Sequence, residues 1–305
     1  MKNLKLFIIM STIKKYVIIV ATVSAVLFLP SACTKEPPSD KPVITMTTLA
    51  SEVSLYIGLK QGTESIVINW GDGKGSKTYE TSCEYSDYCY FSVTYSYSSE
   101  SEHHITIIGE NIEYLKCTGS FLYAAGNQLT ALDVSRNTAL KKLVCGSSQL
   151  TTLDVSKNVA LEYLELGGNQ LTTLDVSNNV ALEYLGCGYN QLTTLDVSKN
   201  RMLTHLNCSY NQLTTLDVSH NTELRFLYCQ YNLLTASALN DLFRTMPKKS
   251  DLYAKHGRYP DFSYTIYIHE NPGTNNCDVS IAQEKGWRVY PPERKDHGPQ
   301  VHSIE

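Results

Sequence analysis

Side chains that could do chemistry are plentiful in this sequence, but few of them have the spacing that a reaction needs. The chain of 305 residues contains 8 His and 9 Cys. Five histidines stand without a nucleophile or a second metal ligand at a suitable spacing: His103, His104, His256, His269 and His297. No glycine-rich loop that could cradle a phosphate is present. We therefore predict a protein that is not an enzyme, with no catalytic residue, no metal site and no cofactor.

Four cysteines recur at multiples of 21 residues, in a column that Leu166 also occupies. They are Cys145, Cys187, Cys208 and Cys229. A metal site needs ligands that converge on one point, whereas this spacing sets the sulfur atoms in a line. A buried thiol packs as a small hydrophobic group, so we predict that these cysteines face the core.

Two further cysteines, Cys83 and Cys89, lie close together outside this column. An exported protein can form disulfides, and a tight turn would bring the two sulfur atoms within bonding reach. We predict a possible disulfide at this pair, with two free thiols as the alternative.

Five aspartates also recur every 21 residues: Asp133, Asp154, Asp175, Asp196 and Asp217. In a stacked structure they would lie about 4.8 Å apart, and such like charges would raise their pKa values or attract cations such as calcium. The alternative, which we favour, is local hydrogen bonding to nearby hydroxyl groups or to the backbone.

The aromatic residues form the most distinctive pattern, since the chain contains 21 Tyr but only 7 Phe and 2 Trp. Residues 21 positions apart make one column of Tyr163, Tyr184, His205 and Phe226, and a second of Tyr189, Tyr210 and Tyr231. Tyr123 and Tyr228 take an outward strand position. Together these nine residues predict an aromatic stripe that binds a protein or stacks on a sugar ring. Stacking that only stabilises the sheet is the alternative.

A repeat of 21 residues must position these columns. Asn127, Asn169, Asn190 and Asn211 share one register, Asn232 continues it, and Ser148 fills the missing place. Within each unit, residues such as Leu164 and Leu166 alternate with period two and would point inward from a short strand. The asparagine that follows would satisfy backbone groups at a bend. Stacked units would then form a parallel sheet over a shared core.

Each unit also contains a shortened second copy of its own motif, from Leu174 through Asp175 and Val176 to Asn179. This nested pattern, with cysteine replacing leucine in several units, closely resembles the 21-residue leucine-rich repeats of Bacteroidetes-type lipoproteins. The resemblance covers residues 111–234. It implies a mainly β solenoid with short strands on both faces and little helix.

The flanking segments have different patterns. Residues 43–110 are rich in β-formers and predict a small β-sandwich, and Trp70, Gly71, Asp72 and Gly73 resemble the signature of PKD-type immunoglobulin-like domains. Residues 235–290 predict an α/β cap, with helices at 236–246 and 278–285 and a strand at 264–268. Such a cap would cover the last apolar face of the solenoid. Residues 291–305 are predicted to be a disordered tail.

The N-terminal residues resemble an export signal. Lys14 and Lys15 precede fourteen uncharged residues, a length suited to a signal peptide rather than to a membrane span. Small residues then lead to Cys33, as at a bacterial lipoprotein cleavage site. We predict a signal peptide at 1–33, lipidation of Cys33, a linker at 34–42, and anchoring at the outer membrane or cell surface of a Gram-negative bacterium.

The formal net charge of −4 argues against nucleic-acid binding. Our first hypothesis is an envelope lipoprotein that binds a protein, or a glycan, through its repeat face, in adhesion or host interaction. The alternatives are an accessory protein that captures carbohydrate for nutrient uptake and a structural spacer.

Overall fold

The computed structural model describes residues 41–63, 65–81, 88–99, 101–118, 127–250 and 264–290. All of them belong to one compact unit, residues 40–305. The predicted signal peptide, Cys33, Cys83, Tyr123 and the tail at 291–305 lie outside these residues, as does all but the end of the linker. Among the described residues, no helix combines the length and apolar character needed to span a bilayer.

The N-terminal region consists of two small antiparallel sheets. Its strands are β1 (Val43–Thr48), β2 (Glu52–Lys60), β3 (Ser65–Asn69), β4 (Ser76–Glu80), β5 (Tyr88–Ser96), β6 (His103–Ile108) and β7 (Ile112–Lys116). One sheet has the order β4-β3-β6-β1, and the other contains β5-β2-β7. Alternate residues such as Ile44, Ile57 and Ile107 are fully buried, as period-two patterning requires.

The repeat region confirms the predicted leucine-rich-repeat solenoid. After β8 (Leu129–Asp133), one short strand occurs in each coil: β9 (Lys142–Val144), β10 (Tyr163–Glu165), β11 (Tyr184–Gly186), β12 (His205–Asn207) and β13 (Phe226–Tyr228). From β9 onward these strands pair in parallel, and residues 21 apart lie side by side. The inward leucines, among them Leu164, Leu185 and Leu206, are fully buried.

Two rows of asparagines connect successive coils. The turn ladder follows the strands and consists of Asn169, Asn190, Asn211, Asn232 and Asn271. The back ladder belongs to the second half of each repeat and consists of Asn158, Asn179, Asn200 and Asn221. All nine are buried, and their amide groups bond backbone groups of the preceding coil. Asparagine is therefore required at these positions because it satisfies buried backbone groups.

The expectation of strands on both faces of the coil is wrong for most of the repeat. Within the described part of the second face, only β8 is a strand, and it pairs with β1. Later segments such as 174–176 are not strands, and the backbone bond from Gln191 N to Leu171 O joins neighbouring coils just before them. The Asp175 carboxylate also takes the amide hydrogen of Ser177, which turns the chain away from a regular pairing.

The N-terminal sheets continue directly into the solenoid. Strand β7 pairs antiparallel with β2 and parallel with β9, so Leu115 lies between Ile57 and Leu143. On the other side, strand β1 pairs antiparallel with β8. The result is a ten-stranded sheet that begins at β5 and includes every parallel strand of the repeat.

The C-terminal region extends this sheet and closes its core. It contains α1 (Ala236–Thr245), β14 (Thr265–Tyr267), α2 (Ser280–Gln283) and β15 (Arg288–Tyr290). The Thr235 side chain caps α1 by accepting from the amide of Ala238. Leu239, Leu242 and Phe243 bury the apolar face of α1. Strands β14 and β15 add to β13 in parallel, so the sheet extends two strands beyond the repeat at its C-terminal end.

Candidate functional site

The outward side chains of the parallel strands bring four predicted residues together. Tyr163, Tyr184, His205 and Phe226 form a first column, one residue from each of four adjacent strands. The rings of Tyr163 and Tyr184 stack with centroids 4.1 Å apart, and those of His205 and Phe226 stack at 4.5 Å. Tyr184 and His205 are tilted, at 6.1 Å. All four are half-buried, so each residue keeps part of its surface accessible.

The first column continues onto the N-terminal strands, which the sequence analysis did not predict. Lys142 precedes Tyr163 in register, and its ammonium lies 4.4 Å from the Tyr163 ring centroid and 5.0 Å from that of Tyr114. Tyr114 in turn packs edge-on against Tyr56 and Tyr90, at 5.5 and 6.1 Å. No 21-residue spacing links these tyrosines to the repeat, so periodicity could not find them.

A second outward column starts two residues later on each strand. It places Tyr228 beside Tyr267 and Tyr290, with ring centroids 4.8 and 4.9 Å apart. Tyr267 and Tyr290 were missed because they belong to the cap. The predicted strand at 264–268 was the available signal, since its register with Phe226 and Tyr228 would have placed Tyr267 in this column.

A third column lies at the bend after the strands. Tyr189, Tyr210 and Tyr231 stack with centroids 3.9 and 4.0 Å apart, and His269 packs edge-on against Tyr231 at 5.2 Å. All three tyrosines have a left-handed backbone, with φ of 53°, 52° and 54°. This conformation directs their rings outward, while the asparagine that follows each one points inward.

Glu165 is a polar residue of the second column whose role was not predicted. Its carboxylate accepts a hydrogen bond from the amide of Gly167 at 2.7 Å and another from the Tyr184 hydroxyl at 2.9 Å. Burial raises the pKa of Glu165, against the effect of these two bonds. The carboxylate fits here because Gly186 has no side chain, and a Cβ at that position would overlap it.

His205 is neutral in this environment. Burial, followed by the nearby charge of Arg225, lowers the pKa of His205 to about 4. Its Nδ1 lies 2.8 Å from the Thr204 hydroxyl. Near neutral pH the imidazole therefore acts as a flat aromatic surface in the first column rather than as a cation.

The cysteine column is buried, as predicted. Cys145, Cys187, Cys208 and Cys229 have no exposed surface, and Cys117 lies in the same core. Burial raises the pKa of Cys187 and of Cys208, so these thiols remain protonated. Cys89 is disulfide-bonded, while its predicted partner, Cys83, lies outside the described residues.

The aspartate ladder forms local hydrogen bonds. In each case one carboxylate oxygen accepts from the serine amide two residues later, as from Ser156 to Asp154 at 2.8 Å. The local hydrogen bonding that we favoured is confirmed, and the other reading, a rise in pKa from mutual repulsion, is wrong for three members. The serine amide bond is the main cause that lowers the pKa of Asp154, Asp175 and Asp196.

Comparisons with known proteins concern the fold. No family model and no curated protein matches the chain. Several solved structures are similar to part of it, including the following three. The functional domain of InlJ from Listeria monocytogenes, which includes a cysteine ladder, is 28% identical, with 58% of this chain and 49% of that chain covered and a TM-score of 0.38. An internalin, InlF, from the same species is 22% identical, with coverage of 55% and 52% and a TM-score of 0.37.

A leucine-rich-repeat protein of Leptospira interrogans is 18% identical, with coverage of 52% and 44% and a TM-score of 0.39. The chain thus spans about half the length of these proteins. The stacked coils, their parallel strands and their buried asparagines make the repeat region of this chain a leucine-rich-repeat solenoid.

Proposed function

We propose that this protein captures a partner protein through the outward face of its ten-stranded sheet. The observation that carries the proposal is the set of aromatic columns, which lie side by side outside the core. Aromatic rings offer a large contact area with little conformational entropy to lose, and they dominate the binding energy of many interfaces.

The fold itself does not require aromatic residues at these positions. Lys142, Thr265 and Arg288 occupy the same first column on neighbouring strands. In the third column, Ser147 has a φ of 52°, which matches the backbone of the tyrosines. Because other residue types are accommodated, we favour recognition over stabilisation as the reason for the tyrosines.

We further propose that the protein acts at the cell envelope of a Gram-negative bacterium, in adhesion or host interaction. The support comes from the sequence: an uncharged segment after Lys15, small residues before Cys33, and a polar segment after it. A lipid on Cys33 would hold the protein at the membrane. The residues around Trp70 support a PKD-like character of the N-terminal region.

The test replaces Tyr189, Tyr210 and Tyr231 with serine in the full chain. Serine adopts the required backbone at position 147, so the triple variant should fold. We expect recovery of a crosslinked partner from host or bacterial extracts to fall at least about tenfold, as for loss of a hot spot. The matched control replaces three exposed threonines of the back face with serine: Thr173, Thr194 and Thr215.

Equal capture by the triple variant and the control would contradict the proposal. Circular dichroism and thermal melting of both variants establish that folding is retained. Binding on a glycan array, lost in the triple variant without any protein capture, would instead support the carbohydrate-capture alternative. Deletion of whole repeats without any loss of activity in the cell would support the spacer.

A further inference from the structure

The third aromatic column stops at Tyr189 although the backbone that carries it continues. The next two places toward the N-terminus are Gly168 and Ser147, with φ of 73° and 52°. Gly168 has no side chain to cover the Tyr189 ring. Tyr189 is 55% exposed, whereas Tyr210 inside the stack is half-buried. One face of the Tyr189 ring is therefore open.

We call the place over Gly168, beside this ring face, the open place. A Cβ built on Gly168 would meet its nearest neighbours, all atoms of Ser147, at 3.4 to 3.7 Å. These are ordinary van der Waals distances, so a side chain can begin at this position without overlap. Since the rings of this column stack 3.9 and 4.0 Å apart, a flat group could enter as the next member of the stack.

An acidic group lies close to Gly168 along the same coil. The Glu165 carboxylate is bonded to the amide of Gly167, the residue before Gly168, and it fills the space over Gly186 in the coil of Tyr189. Among the ion pairs found between described residues, none includes Glu165. A carboxylate has about four acceptor sites, and its two hydrogen bonds leave room for a further donor.

We propose that the open place between Tyr189 and Ser147 is a subsite for the guanidinium group of an arginine side chain on the partner protein. A guanidinium is planar and charged, so it can stack on a tyrosine face while it donates two hydrogen bonds to a carboxylate. A phenyl ring would stack but leave Glu165 unmatched, and a lysine ammonium has no plane to stack. The subsite rests on the proposed function, because it names the side chain that the aromatic face would receive.

A tyrosine side chain of the protein itself can be introduced to fill the subsite. Tyrosine occurs at the matching position of three later coils with a φ close to 53°. Gly168→Tyr should therefore fold and place its own ring against Tyr189. The variant leaves the existing columns intact and removes only the open place.

The probe is a short peptide with one arginine between glycine and serine residues, paired with the same peptide carrying citrulline. Citrulline is flat like arginine but uncharged. Binding to the full chain in detergent micelles is measured by ligand-observed NMR, with empty micelles as the blank. We expect the citrulline peptide to bind at least about fivefold more weakly, since a charged hydrogen bond is about twice as strong as a neutral one.

Three variants locate the contact. Gly168→Tyr and Tyr189→Ser should each abolish binding of the arginine peptide, and Glu165→Gln should remove the preference for arginine over citrulline. Thr173→Ser is the control and should bind like the unaltered chain. If Gly168→Tyr does not fold, Tyr189→Ser provides the same test, because serine at position 147 has the same backbone.

Two results would overturn the subsite: equal binding of the two peptides, or undiminished arginine binding by Gly168→Tyr. Its failure is distinguishable from failure of the proposed function. Partner capture that survives in Gly168→Tyr but is lost in the triple serine variant would refute the subsite and support the function. Capture retained by the triple serine variant would contradict the function itself.

Discussion

The turn ladder and the back ladder both consist of asparagines, but the side chains of the turn ladder form more hydrogen bonds. In the turn ladder, the Asn190 side chain donates to Leu166 O and Cys187 O, both at 3.1 Å, and accepts from Leu171 N at 3.0 Å. In the back ladder, Asn179 donates to two carbonyls, at 3.0 and 2.8 Å, but its Oδ1 is buried and has no partner among the described residues. The same holds for Asn158, Asn200 and Asn221.

Over most of the repeat, the parallel strands lie on the side of the turn ladder, whose side chains both donate and accept. The turn ladder supplies both a donor and an acceptor where the chain leaves each strand, so buried backbone groups there are satisfied. The back ladder supplies donors only. Successive coils are therefore joined by more side-chain hydrogen bonds on the strand side, and the aromatic columns lie on that side.

The largest expected effect comes from removing one member of each ladder. Asn190→Ala leaves the buried Leu171 amide without its partner, at about 1–3 kcal/mol, and removes one of two donors from Leu166 O and from Cys187 O, at about 1 kcal/mol each. Asn179→Ala removes one of two donors from Val155 O and from Asn158 O, which keep a backbone amide donor, and it also removes an unsatisfied oxygen. We expect Asn190→Ala to destabilise the chain by roughly 4 kcal/mol and Asn179→Ala by about half as much, measured by denaturant unfolding. Equal losses would show that the two ladders do not differ in energy.

A stabilising substitution is expected at position 148, where the turn-ladder register lacks an asparagine. Ser148 occupies an asparagine place, and its buried hydroxyl has no partner within the described part of the chain. Ser148→Asn should add an amide in the arrangement that Asn169 shows one coil later, and stabilise the chain by about 1 kcal/mol. The same unfolding measurement checks it. Ser177→Asn, at a half-repeat position outside both ladders, is the control and should not stabilise.

The outward carboxylates of the two sides should titrate in opposite directions. Burial raises the folded-state pKa of Glu165 above its unfolded value, so the folded chain holds this proton more tightly. Stability should fall as pH rises from the ordinary glutamate value through the raised one. Glu165→Gln should remove that part of the pH dependence in thermal melts at pH 4 to 8, with about no change below pH 4. An unchanged melting profile would argue against the raised pKa.

The smallest effect is expected on the back face. The Ser177 amide lowers the pKa of Asp175, so its contribution is present above the ordinary aspartate value and is lost as pH falls through the lowered one. Carboxyl NMR titration should place the midpoint of Asp175 below that of an unstructured aspartate. Ser177→Pro, which removes the amide hydrogen, should return it toward the ordinary value. An Asp175 midpoint above the ordinary value would show that repulsion within the aspartate ladder dominates its pKa.

Periodicity in the sequence located much of this surface but could not describe its surroundings. Tyr163 and Tyr184 were placed in one column because identical coils put residues 21 apart side by side. Tyr114 and Tyr267 come from strands that join the sheet outside the repeat, so only three-dimensional pairing reveals them. The burial of Glu165 depends on the missing side chain of Gly186 in the next coil.

The one clear error in the predicted fold has a similar origin. The second half of each repeat resembles the first half in amino-acid sequence, and this similarity predicted a second set of strands. Asp175, however, binds the amide of Ser177, and that local bond competes with pairing between coils. A pattern of apolar residues does not report which backbone groups a nearby carboxylate has already engaged.

The left-handed position before each turn-ladder asparagine, and before Ser148 in the same register, holds serine, glycine, tyrosine or glutamate in different coils. All have φ between 52° and 73°: Ser147, Gly168, Tyr189, Tyr210, Tyr231 and Glu270. The fold thus keeps the geometry of this position constant while its chemistry varies. Mutation can therefore rewrite the recognition surface one coil at a time without disturbing the core. Duplication of a 21-residue unit would lengthen the same surface by about 4.8 Å, which gives such a protein two independent routes to new partners during evolution.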